Sequence, residues 1–153
     1  MMTTSQLKAG AVVLGILLGG CAAAAARADT VQYLKSPVPN APFSASVRVG
    51  DLVFLSGQIG IGADGKLPAD FSAQARLTMQ NVQAALQQAG LGFDDVVKCT
   101  VMLADMAHWD DFNQIYVGYF KPERLPARSA LGANGLARGA QVELECTARA
   151  GHH

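Results

Sequence analysis

Clusters of positive charge, metal-ligand spacings and membrane-length apolar runs are all missing from this chain. Its twelve basic residues are scattered and matched by twelve acidic ones. A domain that tracks phosphates displays a basic stripe, so no nucleic-acid partner is expected. Only three cysteines occur, with no Cys-x-x-Cys and no Cys/His grouping. His108 stands alone, and His152 and His153 lie in a short tail at 151–153. Metal ligation needs several such donors at close spacing, so no metal is expected. The strongly apolar run AGAVVLGILL is shorter than the ~20 residues that span a bilayer.

That run suits a different purpose. A polar start with one lysine, an apolar segment and then small residues form the layout of a secretory leader over residues 1–28. Two endings compete. Ala26-Arg27-Ala28 matches a cleavage site that would make Asp29 the first mature residue, whereas Leu18-Gly19-Gly20-Cys21 resembles a lipobox, which would lipidate Cys21. Either ending places the mature protein outside the cytoplasm, in a periplasm-like space or tethered to a membrane as a lipoprotein. Without the leader, ten basic residues face twelve acidic ones. Cys99 and Cys146 both fall on the apolar phase of expected strands, which favours two free core thiols. A disulfide is the alternative that an oxidising compartment would permit.

The remaining length, 34–150, fits one domain with one core. SASVRV alternates from Ser44, Gly50-Asp51 turns the chain, and LVFLSGQI continues as a second strand. From Phe71 the spacing changes to Phe71, Ala75, Met79, Val82 and Leu86, a helix with Asp70 as N-cap and Gly90 beyond its end. VVKCTVML is a strand, and 108–120 is a second helix carrying Trp109, Phe112, Tyr116 and Tyr119 as a core stripe. LPARSAL and QVELECTA complete an order of β-β-α-β-α-β-β, an α+β fold with two helices on one face of a mostly antiparallel sheet. In the last strand Val142, Leu144 and Cys146 point one way, and Glu143, Glu145 and Thr147 the other. Continuing the alternation puts Phe54, Ser56, Gln58, Thr100 and Met102 on that second face. A face so mixed suits cover by another subunit.

Arg128 sits in LPARSA, where Glu123 and Glu143 are the nearest acids along the chain. A planar guanidinium held by small, stiff neighbours is matched to a carboxylate. Together with PARS, the stretches SGQIG at 56–60, Asp94-Asp95-Val-Val-Lys, FNQIYVGYF at 112–120 and VELE at 142–145 resemble the RidA family. These are the reactive-intermediate deaminases, also called YjgF or endoribonuclease L-PSP proteins. The resemblance implies a chorismate-mutase-like fold, a homotrimer with ligand sites in clefts between subunits, and hydrolysis of reactive enamines and imines to 2-keto acids and ammonia without a cofactor. It also implies that Arg128 anchors the substrate carboxylate and that Glu143 handles protons on the attacking water. Ser56, Gly57 and Asn113 would line the polar end of the site. Phe43 stands where many relatives carry a tyrosine, so a ring remains and a hydroxyl is lost.

Plainer roles compete for the same residues. Arg128 would serve equally as a salt-bridge partner of Glu143 or Glu145 across an interface, Ser56 as a backbone ligand near a bulge, and Asn113 as a packing amide. A non-catalytic module that binds small carboxylates on the same trimer is the alternative function. Ribonuclease activity has little support in a slightly acidic chain with no histidine constellation.

Overall fold

The computed structural model describes residues 30–151. Residues 1–29, which include the leader-like stretch 1–28 with Cys21 and the candidate first mature residue Asp29, and residues 152–153 lie outside the described part. Nine elements follow one another: β1 (Val31–Lys35), β2 (Ser44–Val49), β3 (Leu52–Leu55), β4 (Gln58–Ile59), α1 (Phe71–Gln88), β5 (Val96–Leu103), α2 (Trp109–Tyr116), β6 (Ala127–Gly132) and β7 (Val142–Arg149). The strands form one sheet in the order β1-β2-β3-β7-β5-β6, with β4 also paired to β7. Every pairing is antiparallel except β5 with β6. This is the expected α+β sheet with two helices. β1 is an addition, opening at Val31, where short and weakly alternating VQYLK carries little strand signal of its own.

Local chemistry explains the helix ends. Asp70 accepts a hydrogen bond from the Ala73 amide at 2.8 Å, satisfying one of the free donors of the first turn. Gly90 adopts a positive φ of 75°, which lets its amide reach the Gln87 carbonyl and the Leu91 amide reach that of Leu86. Helix α2 is shorter than its aromatic stripe suggests. It tightens into a 3-10 turn over Val117–Tyr119 and stops before Pro122, which cannot continue it.

The two faces of the sheet differ sharply. Val53, Leu55, Cys99, Val101, Leu103, Val142, Leu144 and Cys146 are buried with Met79, Val82 and Leu86 of α1 and Phe112 of α2 in one core. The opposite face carries Phe54 at 45% exposure and Leu131 at 47%, with Tyr33 at 71% toward the β1 edge. Apolar area of that extent on a sheet face signals an unfilled contact.

Two expectations need correction. Uninterrupted alternation puts Gln58 on the same face as Phe54, but Phe54 pairs with Thr147 while Gln58 pairs with Leu144. An additional residue is accommodated around Ser56-Gly57, and the slip turns Gln58 to the helix side. The cysteines are not free thiols. Cys99 and Cys146 face each other in register across β5 and β7, their Cα atoms are 4.1 Å apart, and a disulfide joins them. Periodicity within each strand identified both as core residues; it carries no information on the register between strands 47 positions apart.

Candidate functional site

Arg128 lies on β6, in register with Cys99 of β5, so it shares the face that the helices cover. There α2 receives it. Its Nη2 donates to Asn113 Oδ1 at 2.7 Å, and its Cζ stands 4.6 Å from the Trp109 ring centre and 4.7 Å from that of Tyr116. Trp109, Asn113 and Tyr116 are spaced by four and three residues, which stacks them on one side of a helix. The amide therefore bonds the guanidinium from between the two aromatic positions along the helix, and both rings lie within cation–π distance of it. No salt bridge of Arg128 is found among the described residues. Charge is left available on its outward edge.

Tyr116 is 3% exposed and its hydroxyl is buried without a hydrogen-bond partner in the described chain. Burial pushes its phenol up to about 12, against a downward pull from the Arg128 charge. It therefore stays neutral beside the cation at physiological pH.

Glu143 belongs to a second group. It alternates with the buried Val142 and Leu144 on β7 and pairs with Met102 of β5, so its side chain emerges on the open face of the sheet. Gly57 abuts it so closely that a Cβ there would fall on Glu143 Oε1. The missing side chain at Gly57 is what makes room for the carboxylate. Ser56 Oγ donates to the Ser44 carbonyl at 2.6 Å, so this hydroxyl serves the backbone beside Phe43. Phe43 itself is 54% exposed. Two α1 side chains support the neighbourhood: Asn81 Nδ2 donates to the carbonyls of Ile59 and Ile61 at 2.7 and 3.0 Å. Gln74 Oε1 accepts from the Gln141 amide at 2.5 Å.

The nominated residues thus form two half-sites, Arg128 with Asn113 and Glu143 with Gly57, Ser56 and Phe43. Within one chain they do not converge. Arg128 and Glu143 point to opposite faces, two strands apart across the sheet and three rows apart along it. At about 4.8 Å per strand and about 3.3 Å per residue their Cα atoms stand roughly 14 Å apart. A recess on the open face, a cavity of about 110 Å³ bordered by Phe54, Lys98, Thr100, Glu145 and Thr147, is lined by neither of them.

Sequence reading took Trp109 and Tyr116 for core alone. Tyr116 is core, yet both rings also frame the guanidinium. A signal for this was present: Asn113 was already nominated, and the two aromatics lie four residues before it and three after it.

The family model described as Endoribonuclease L-PSP matches residues 33–150. A RutC family protein of Aquifex aeolicus is 40% identical over 116 residues, covering 74% of this chain and 93% of the relative. The mouse protein named 2-iminobutanoate/2-iminopropanoate deaminase is 39% identical over 120 residues, covering 77% and 88%. Among solved structures, a Rid-family protein of unknown function from Yersinia pestis superposes with a TM-score of 0.73 at 32% identity, covering 78% of this chain and 99% of the other.

Proposed function

The chain belongs to the endoribonuclease L-PSP family, the RidA and YjgF proteins of the resemblance noted above, and on that premise we propose that it hydrolyses imines and enamines of amino acids to 2-keto acids and ammonia. Arg128 carries this reading. Its guanidinium is positioned by Asn113 and two rings, without an acidic partner among the described residues, as suits a group that receives a carboxylate. The mouse relative's name supplies the reaction class.

The proposed sequence of steps is short. Arg128 takes the substrate carboxylate through paired N–H donors. The protonated imine carbon, bonded directly to that carboxylate, is attacked by water as Glu143 removes a water proton. The resulting carbinolamine receives that proton on nitrogen, the C–N bond breaks, ammonia leaves, and the remaining hydroxyl loses its proton to give the keto group. Carboxylate and reacting carbon are adjacent atoms, whereas Arg128 and Glu143 of one chain are about 14 Å apart at Cα on opposite faces. The same substrate reaches both only if they come from different copies. A homotrimer with sites between subunits meets that need, and the exposed Phe54, Leu131 and Tyr33 support a covered sheet face.

Export is part of the proposal. The leader-like residues 1–28 and a core disulfide, which persists in oxidising compartments, both support a periplasmic or lipid-tethered protein.

The test generates imino acid in place with an amino-acid oxidase, adds mature protein, and traps surviving imine with semicarbazide. Faster loss of imine with wild type, abolished in Arg128→Ala, is the expected result. Equal trapping with and without protein overturns the enzyme and leaves a carboxylate-binding module, which thermal stabilisation by 2-oxobutanoate would reveal.

A further inference from the structure

The contacts around Arg128 specify more than an anchor. Trp109 and Tyr116 sit seven residues apart on α2, a rise of about 10.5 Å. The guanidinium carbon lies 4.6 and 4.7 Å from their ring centres, so both rings restrict it. Asn113 Oδ1 accepts a hydrogen bond from its Nη2. An arginine has five N–H donors, all in the plane of the group. With two rings close to the group and one donor spent, the remaining N–H donors are left for a ligand.

We infer that Trp109, Asn113 and Tyr116 are positioning residues that fix the plane of Arg128 and thereby the plane of a bound 2-imino or 2-keto acid. This rests on the proposed carboxylate-anchoring role of Arg128 and extends it. A carboxylate held by two parallel N–H bonds lies in the guanidinium plane. Conjugation with the imine keeps the reacting carbon in that plane as well. Water must then attack along its normal, so the orientation of Arg128 decides where the base on a neighbouring copy has to stand. Without the rings the guanidinium is free to turn about its own side-chain bonds, and each binding event must stop that rotation.

Trp109 is the sole tryptophan of the chain, so the site contains its own reporter. In wild-type protein, 2-oxobutanoate should change tryptophan emission saturably, whereas 2-butanone, which lacks the carboxylate, should not. Trp109→Leu should raise both the Kd for 2-oxobutanoate, measured by calorimetry, and the KM in the imine assay by roughly 5- to 30-fold, the scale of a desolvated cation–π contact. Trp109→Phe, which restores a ring face, should recover affinity to within about 3-fold of wild type. Should Trp109→Leu fold poorly, the nearly isosteric Asn113→Asp serves instead: a fixed carboxylate would capture Arg128 and abolish 2-oxobutanoate binding. Unchanged Kd in folded Trp109→Leu, or full binding in Asn113→Asp, overturns the inference. The two readings fail separately. Wild type that binds in a Trp109-dependent way yet leaves imine untouched refutes the hydrolase and keeps the positioning role; hydrolysis with an unaltered KM in Trp109→Leu does the reverse.

Discussion

Reducing the Cys99–Cys146 bridge should cost stability far more than it costs structure. The two residues are 47 positions apart, and closing a loop of that length removes about 4 kcal/mol of chain entropy from the unfolded state. Cross-links of this kind often deliver less than the entropy term, so about 2–4 kcal/mol is the working range. The native state should lose little, because both sulfurs are buried in the core, at 0% and 3% exposure, where free thiols pack as small apolar groups. Guanidinium unfolding of the same protein, oxidised and fully reduced at equal concentration, reads this directly: the midpoint should fall, and the slope should rise because the reduced unfolded chain exposes more surface. For a domain of this size the Tm should drop by on the order of 10 °C. Thiol titration of the unfolded oxidised protein must find the pair unreactive. Coincident unfolding curves, or two free thiols in protein purified without reductant, would refute the reasoning.

Three further outcomes follow from named contacts. Gly57→Ala should lower kcat/KM by at least about 10-fold, since the new methyl displaces a carboxylate cast as proton acceptor, while circular dichroism stays unchanged. Tyr116 has a phenol raised from 10.0 to about 12 by burial, so the folded state holds its proton more tightly than the unfolded one. Stability should therefore be intact below pH 10 and decline between pH 10 and about 12; Tyr116→Phe should remove that component of the decline in pH-dependent denaturant midpoints. Asp70→Ala deprives the first turn of α1 of its cap and should cost about 1 kcal/mol, with no change in 2-oxobutanoate affinity measured by calorimetry.

Most of the sheet was legible because its strands have two different faces. Val142, Leu144 and Cys146 alternate with Glu143, Glu145 and Thr147, and the burial of β7 follows that alternation. α1 was equally readable, from Asp70 to Gly90, since both of its ends use local chemistry. Register was not legible. Nothing within VVKCTVML or VELECTAR says that Cys99 meets Cys146, and nothing in LVFLSGQI marks the slip at Ser56-Gly57 except a glycine in a strand. The candidate site divides in the same way. The local sequence singled out Arg128, and the family resemblance added Asn113, Glu143 and Gly57. Their separation into two half-sites depends on β6 lying parallel beside β5 at the edge of the sheet, a matter of topology rather than of composition.

That edge position makes the surroundings of Arg128 consequential. Among the described residues strand β6 is paired only on its β5 side, and edge strands open more readily than central ones. Two restraints act on opposite sides of the arginine. Across the sheet, Cys146, Cys99 and Arg128 stand in one row, so the disulfide pins the central pair on which β6 rests. Above the sheet, α2 grips the guanidinium through Asn113 and two rings. Only the second restraint touches the charged group. The division implies that the bridge protects the strand from unfolding, while α2 sets the geometry of binding. Reduced protein held well below its lowered melting temperature should accordingly keep its affinity for a 2-keto acid, and oxidised protein without the α2 contacts should lose it at any temperature.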